Sequence, residues 1–304
     1  MRFAIVVLCA CVLAACSRGE QSTTSSSSTA PVAATMAATV APSDAASPLA
    51  AATAAASGAV VAATTPAASP LPSVAFTDVT GVQGQADIVR LAQLGVLDAT
   101  SGPFHPGDPV KRRDFVRWLF KTNNAVWSDQ TSRQIHLADA TDKSDFSDIT
   151  PNDPDFRYIE GMSEAGIAVG FPDKTFRPDQ PLTREQMLAI KAGLDRGGVS
   201  ASYVKDPGQA RFELPAWKDK DQISKTYVAA IMTDISDERT DAPKVDNIGR
   251  TFGAISMLRP QQNVTRAQAA VIMNVIGAHD PSVYYDKAPR SVAAALNPSP
   301  KPSP

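Results

Sequence analysis

The amino-acid sequence predicts an all-α domain, three copies of one helix–loop–helix unit behind a long disordered linker. Three observations carry that expectation. Lead segments of the same register recur at Phe104, Phe176 and Leu258. The stretches after them repeat apolar residues at helical spacing. Residues 17–73, by contrast, are almost entirely Ala, Ser, Thr and Pro. An internal repeat is settled before any other assignment, because missing it misreads the whole fold.

The elements follow in chain order. The opening, MRFAIVVLCACVLAAC, has a positive start at Arg2 and an apolar run, Ala4 to Leu13, too short to span a bilayer stably. The run ends in Leu13-Ala14-Ala15-Cys16, which resembles the lipobox of bacterial lipoprotein signal peptides. That resemblance implies a signal peptide over 1–16 and a mature N-terminus at Cys16, lipidated on sulfur; an ordinary signal peptide that happens to hold a cysteine is the alternative. Removal takes Cys9 and Cys11 with it, so no disulfide framework or cysteine metal site is left within one mature chain. Ser17 stands where an aspartate tends to signal inner-membrane retention, which implies the outer membrane, facing the periplasm. In a single-membrane host the outer face of the cytoplasmic membrane takes its place.

From Ser17 to Ser73 there is almost no charge and no aromatic residue. Such a segment buries too little apolar surface to offset the entropy of ordering, so it reads as a disordered tether spanning roughly 40 Å. Residues 280–304, ending in NPSPKPSP, read as a disordered Pro-rich tail. The charge balance, 29 Lys+Arg against 31 Asp+Glu, gives no sign of a nucleic-acid partner.

The folded part runs over 74–279, enough for a substantial core. Its three copies cover about 74–123, 144–197 and 215–277. The lead segments read FHPGDPVKRRD, FRPDQPLTREQ and LRPQQNVTRAQ, and in each an apolar residue, a proline and a Val or Leu stand at fixed offsets before Arg112, Arg184 or Arg266. Upstream of each lies a second shared element, FTDV, FSDI or WKDK. Between the two elements runs an amphipathic stretch such as IVRLAQLGV or YIEGMSEAGI, with Gly95 and Gly166 as helix stops.

The second helix of each copy is well specified. Thr183 with Gln186 and Thr265 with Gln268 have capping-box spacing, and Val110 with Phe115 and Leu182 with Met187 stand at hydrophobic-staple positions. The inner face continues through Leu119, through Ile190 and Leu194, and through Val271, Ile272, Val275 and Ile276; these rows are core. Asp78, Asp148 and Asp219, in loops before a helix, read as caps of backbone N–H groups rather than ligands.

The succession F-x-D, helix, G-x-x-x-G, F-x-P and T-R-A-E resembles the S-layer homology domain, closest in GIAVGFPDKTFRPDQPLTREQ from Gly166 to Gln186, with Gln186 and Gln268 at the Glu position and Lys111 and Asp114 in the first copy as departures. The resemblance implies a pseudo-threefold prong in which the second helices meet in a central three-helix bundle with grooves between copies. It also implies that the grooves hold an acidic cell-wall polysaccharide bearing a pyruvate ketal, or another peptidoglycan-linked polymer. The third copy lacks the two glycines and has a longer polar connection, DERTDAPKVDNIGR, so a poorer groove is expected there.

An arginine at a helix N-terminus opposes the helix dipole at about 0.3–1 kcal/mol, a placement that makes sense where an anion arrives. Its planar fork matches a carboxylate, and free first-turn N–H groups would add to the site. By the resemblance, Arg112, Arg184 and Arg266 hold the carboxylates. Phe156, Tyr158 and Tyr227 offer aromatic faces to the sugar, and Gly170, Asp173 and Lys174 offer close backbone approach and polar contacts. A solvated or internally paired arginine is the competing reading.

The acidic run DATDKSDFSDITPNDPD does not match a calcium loop, His105, His136 and His279 stand apart, and no nucleophile motif or phosphate-cradling glycine loop occurs. The expectation is therefore a non-enzymatic envelope anchor without cofactor or metal, lipid-anchored to a membrane and gripping a wall polymer. A protein-interaction module with degenerate grooves is the alternative.

Overall fold

The computed structural model describes residues 70–195, 214–235, 245–277 and 289–297. The signal peptide with Cys16, the tether as far as 69, the connection over 236–244, His279 and the extreme C-terminus lie outside the described residues. The described part is mostly helical, with two small two-stranded sheets.

Strand β1 (Ala75–Phe76) pairs in parallel with β2 (Ser101–Gly102), and helix α1 (Gln85–Gln93) lies between them in sequence. Helices α2 (Arg112–Val126), α3 (Phe156–Glu164) and α4 (Arg184–Asp195) follow. Then come α5 (Lys225–Ile235), α6 (Asn247–Phe252) and α7 (Arg266–Met273). Strand β3 (Val275–Ile276) pairs antiparallel with β4 (Arg290–Ser291), and α8 (Val292–Leu296) ends the described chain.

Helices α1 and α3 stop where glycine permits the left-handed turn. Gly95 and Gly166 have φ of 72° and 70°. Val96 N–H donates to Leu91 O and Ile167 N–H to Met162 O, the six-to-one closure of a Schellman motif. The second helices start from the lead segments, and Val110, Leu182 and Val264 there are fully buried.

Those three residues bond to one another in a closed ring. Val110 N–H donates to Val264 O, Val264 N–H to Leu182 O, and Leu182 N–H to Val110 O, at 2.9, 2.8 and 3.0 Å. Helix packing has the same cyclic order: α2 lies on α3, α4 on α5, and α7 on α1. Helices α2 and α4 thus pack chiefly against the next segment's first helix, while α7 packs equally on α1 and on α6 of its own segment. Of the second helices, α2 and α7 also touch one another.

Two expectations at the C-terminal end do not hold. The helix after Arg266 ends at Met273, and Val275 and Ile276 form β3 instead of a last turn. Residues 290–296 are not a loose tail: β4 pairs with β3, Val292 is fully buried, and Ser291 caps α8 through Ala294 N–H. Likewise, the polar connection of the third copy carries α6, which Asp246 caps through Gly249 N–H.

A buried polar cluster ties these elements together. Lys191 is fully buried and pairs with Asp195, whose carboxylate also accepts Gly277 N–H and Asn247 Nδ2. Asn247 donates in turn to Asp234, and Arg250 bonds Asn247 Oδ1 and the carbonyls of Val271 and Ile272. Burial pushes the Lys191 ammonium below its usual range and the Asp234 carboxyl above its own.

Candidate functional site

Each lead segment begins on a clamp. The Asp78 carboxylate accepts Phe104 and His105 N–H, Asp148 accepts Phe176 and Arg177 N–H, and Asp219 accepts Leu258 and Arg259 N–H, all at 2.6–2.9 Å. His105, Arg177 and Arg259 have φ of 59°, 59° and 54°. A non-glycine residue there costs about 1–2 kcal/mol, which the paired charge-assisted bonds offset. The aspartates therefore hold the approach to the helices, while Asp219 makes no cap bond to the short helical turn that follows it.

The helix caps are unequal. Thr265 and Gln268 close a full capping box. Gln186 Oε1 accepts Thr183 N–H, yet the Thr183 hydroxyl is buried without a partner, so only half of that box forms. Lys111, in the capping position of α2, makes no cap bond and pairs with Asp179 at 3.1 Å.

First-turn N–H groups do not await an anion. Arg112 and Arg113 N–H donate to Gln180 and Pro178 O, Arg184 and Glu185 to Gln262 and Pro260 O, and Arg266 and Ala267 to Asp108 and Pro106 O. This corrects the expectation of free donors: the ring of lead segments consumes them, because a buried N–H must be paired.

The three arginine side chains cross to the next segment in the same cycle. Arg112 Nη2 donates to Val169 O at 2.6 Å, with the guanidinium 4.7 Å from the Phe176 ring centroid and 5.2 Å from that of Phe171. Arg184 Nη1 donates to Leu258 O at 3.0 Å, 4.2 Å from the Phe252 ring. Arg266 Nε donates to Phe104 O at 2.9 Å, over Phe104 and Trp118. None of the three forms an ion pair with a carboxylate of the described residues. Cation–π contact and a carbonyl bond thus offset the dipole cost of an arginine at this position. Burial pushes the Arg112 guanidinium down to about 10, opposed by the nearby Tyr227 hydroxyl. Burial also lowers Arg184 and Arg266; Arg259 reinforces the fall at Arg184, and Asp114 opposes it at Arg266.

The other expected contacts sort less evenly. Phe156 is 1% exposed and belongs to the core, so it cannot present a face to a sugar. Tyr158 is partly buried, edge-on to Phe120 at 5.2 Å. Tyr227 is partly buried and near Arg112, and burial pushes its hydroxyl above the usual range. Gly170 is required by packing: a Cβ there would stand 2.5 Å from the Phe146 ring and 2.9 Å from Thr175 O. Asp173 is engaged by Thr175 and Arg177, which draw its carboxyl down to about 2. Lys174 is exposed with φ 60° at the tip of the same turn, and its carbonyl accepts Ser147 N–H.

Several contributors escaped the sequence reading. Arg113 and Arg117 form a network with Asp98, Asp114, Asp153, Asp155 and Asp179 that binds α2 to the segment before α3. Two of those aspartates belong to the acidic run that resembled no calcium loop. A cavity of about 340 Å³ is lined by Arg184, Arg259, Phe252, Gln83, Thr251 and Gln268 among others. It lies against the 251–259 loop of the third segment. The arginine inside LRP and FRP was the available signal.

No described helix is long and apolar enough to cross a membrane. No curated protein matches the chain. Residues 145–188 match the family model for the S-layer homology domain, a span that takes in the Asp148 clamp, helix α3, the Gly170–Arg177 turn and Arg184. Over that stretch, where clamp, turn and arginine act as one unit, the chain is similar to the S-layer homology domain family.

Proposed function

We propose that the chain is a non-enzymatic lipoprotein that anchors a membrane to the cell wall. S-layer homology domains generally bind cell-wall polymers, which supports a role in the cell envelope. In this reading 74–279 is a pseudo-threefold S-layer homology domain of three copies, a view supported by the cyclic bonding of the lead segments. Its grooves take an acidic wall polysaccharide, such as a pyruvylated one. The lipid on Cys16 holds the outer membrane and 17–73 spans the gap. Two anchors on one chain raise effective concentration, so weak grooves still give durable attachment.

One observation carries the proposal. Arg112, Arg184 and Arg266 all stand at junctions between consecutive segments, and none is neutralised by an ion pair with a described carboxylate. The test is sedimentation of the protein with purified walls, for Arg112→Ala, Arg184→Ala, Arg266→Ala and the triple variant. Loss of sedimentation with an unchanged circular dichroism spectrum is expected. Full binding by a folded triple variant refutes the reading, and unchanged binding to walls stripped of pyruvyl groups refutes the ligand.

A further inference from the structure

We propose that Arg259 makes the Arg184 cavity a site for a doubly charged anion, a sugar phosphomonoester, rather than for a single carboxylate. The inference rests on the wall-polymer reading of the same site and narrows its ligand.

The three junctions are alike in backbone and unlike in charge. The clamped, left-handed position before each helix holds His105, Arg177 or Arg259. Arg177 is neutralised by Asp173 at 2.8 Å. At the Arg266 junction the clamped residue is a histidine, and Asp98, Asp108 and Asp114 all act on the guanidinium. Arg184 and Arg259 share one cavity wall with Gln83, Thr251, Phe252 and Gln268, and no carboxylate lines that cavity.

Asp219 acts on Arg184 as the one carboxylate there and forms no ion pair with either guanidinium, its two oxygens being turned to Leu258 and Arg259 N–H; one carboxylate therefore faces two cations. Arg184 is 8% exposed, held by Leu258 O and the Phe252 ring, and its Nε is buried without a partner. Arg259 is exposed and supplies a whole donor fork. Two cations set side by side repel, and a dianion relieves the repulsion more fully than a monoanion. The Gln83 amide adds a donor and an acceptor suited to hydroxyl groups, and Gln268, whose oxygen accepts Thr265 N–H, adds its amide donors. A volume of about 340 Å³ admits a single sugar unit.

The full chain is titrated calorimetrically at low ionic strength with glucose 6-phosphate, glucuronate and glucose. Glucose 6-phosphate should bind about tenfold more tightly than glucuronate, and Arg259→Gln should bring the two within about twofold. Arg259 is exposed, so the variant keeps its fold, which an unchanged thermal midpoint verifies. Equal affinities in the parent, or an equal loss for both probes in Arg259→Gln, overturn the proposal. If Arg184→Ala abolishes wall sedimentation while the parent shows no preference for the phosphate, this inference falls and wall binding stands. A phosphate preference in a protein that never sediments with walls supports this inference and removes the anchoring role.

Discussion

The aspartate clamps allow a graded test of how this fold is held. Asp219 is 2% exposed and accepts two backbone N–H groups, from Leu258 at 2.9 Å and Arg259 at 2.6 Å. Asp219→Ala removes both bonds at about 1.5–3 kcal/mol each and leaves the strain at Arg259 unopposed, so a loss of about 3–5 kcal/mol is expected. Leu258 is fully buried, and its N–H has no route to water once the carboxylate is gone. Asp148 makes the same two bonds from an exposed position, where water can replace them, and Asp148→Ala should cost about 1–2 kcal/mol. Urea unfolding followed by far-UV circular dichroism reads both values. Arg259→Gly adds a second arm: glycine adopts the φ of 54° freely, so it should recover about 1 kcal/mol in the Asp219→Ala background. A cost below about 1 kcal/mol for Asp219→Ala, or equal costs for the two aspartates, refutes the clamp argument.

The two threonines should separate. Thr265→Val breaks a complete capping box and should cost about 1 kcal/mol, whereas Thr183→Val removes a hydroxyl without a partner and should be neutral or stabilising by chemical denaturation. Gly161→Ala should destabilise despite alanine's better helix propensity, because the new Cβ would stand 2.2 Å from the backbone oxygen of His136; a raised thermal midpoint would contradict the packing. Lys191→Met should cost about 3–5 kcal/mol by stranding Asp195, and adding Asp195→Asn should recover most of it, as a double-mutant cycle would measure.

Much of the helical order was legible because it depends on neighbours in sequence. Apolar spacing placed α2, α3 and α4; the glycines at 95 and 166 stop α1 and α3 through a left-handed turn; and a threonine three residues before a glutamine marked the cap of α7. The recurrence of FRP and its relatives marked where equivalent backbone would stand. It said nothing of how those segments would use their N–H groups.

That use was decided by tertiary contact. Closing the lead segments into a ring commits the first-turn donors to carbonyls about 70–160 residues away. It turns the arginines inward onto rings and carbonyls of the next segment, and it buries Phe156 instead of presenting it. Charge compensation was equally hidden: Asp173 pairs with Arg177 and three aspartates act on Arg266, whereas Arg184 and Arg259 have Asp219 alone and share a cavity that no carboxylate lines. Local sequence determines where a helix begins, because caps and apolar spacing act within a few residues. Whether a charge is free to meet a ligand depends on every group the fold brings within a few ångströms of it, and no sequence pattern of short range carries that sum.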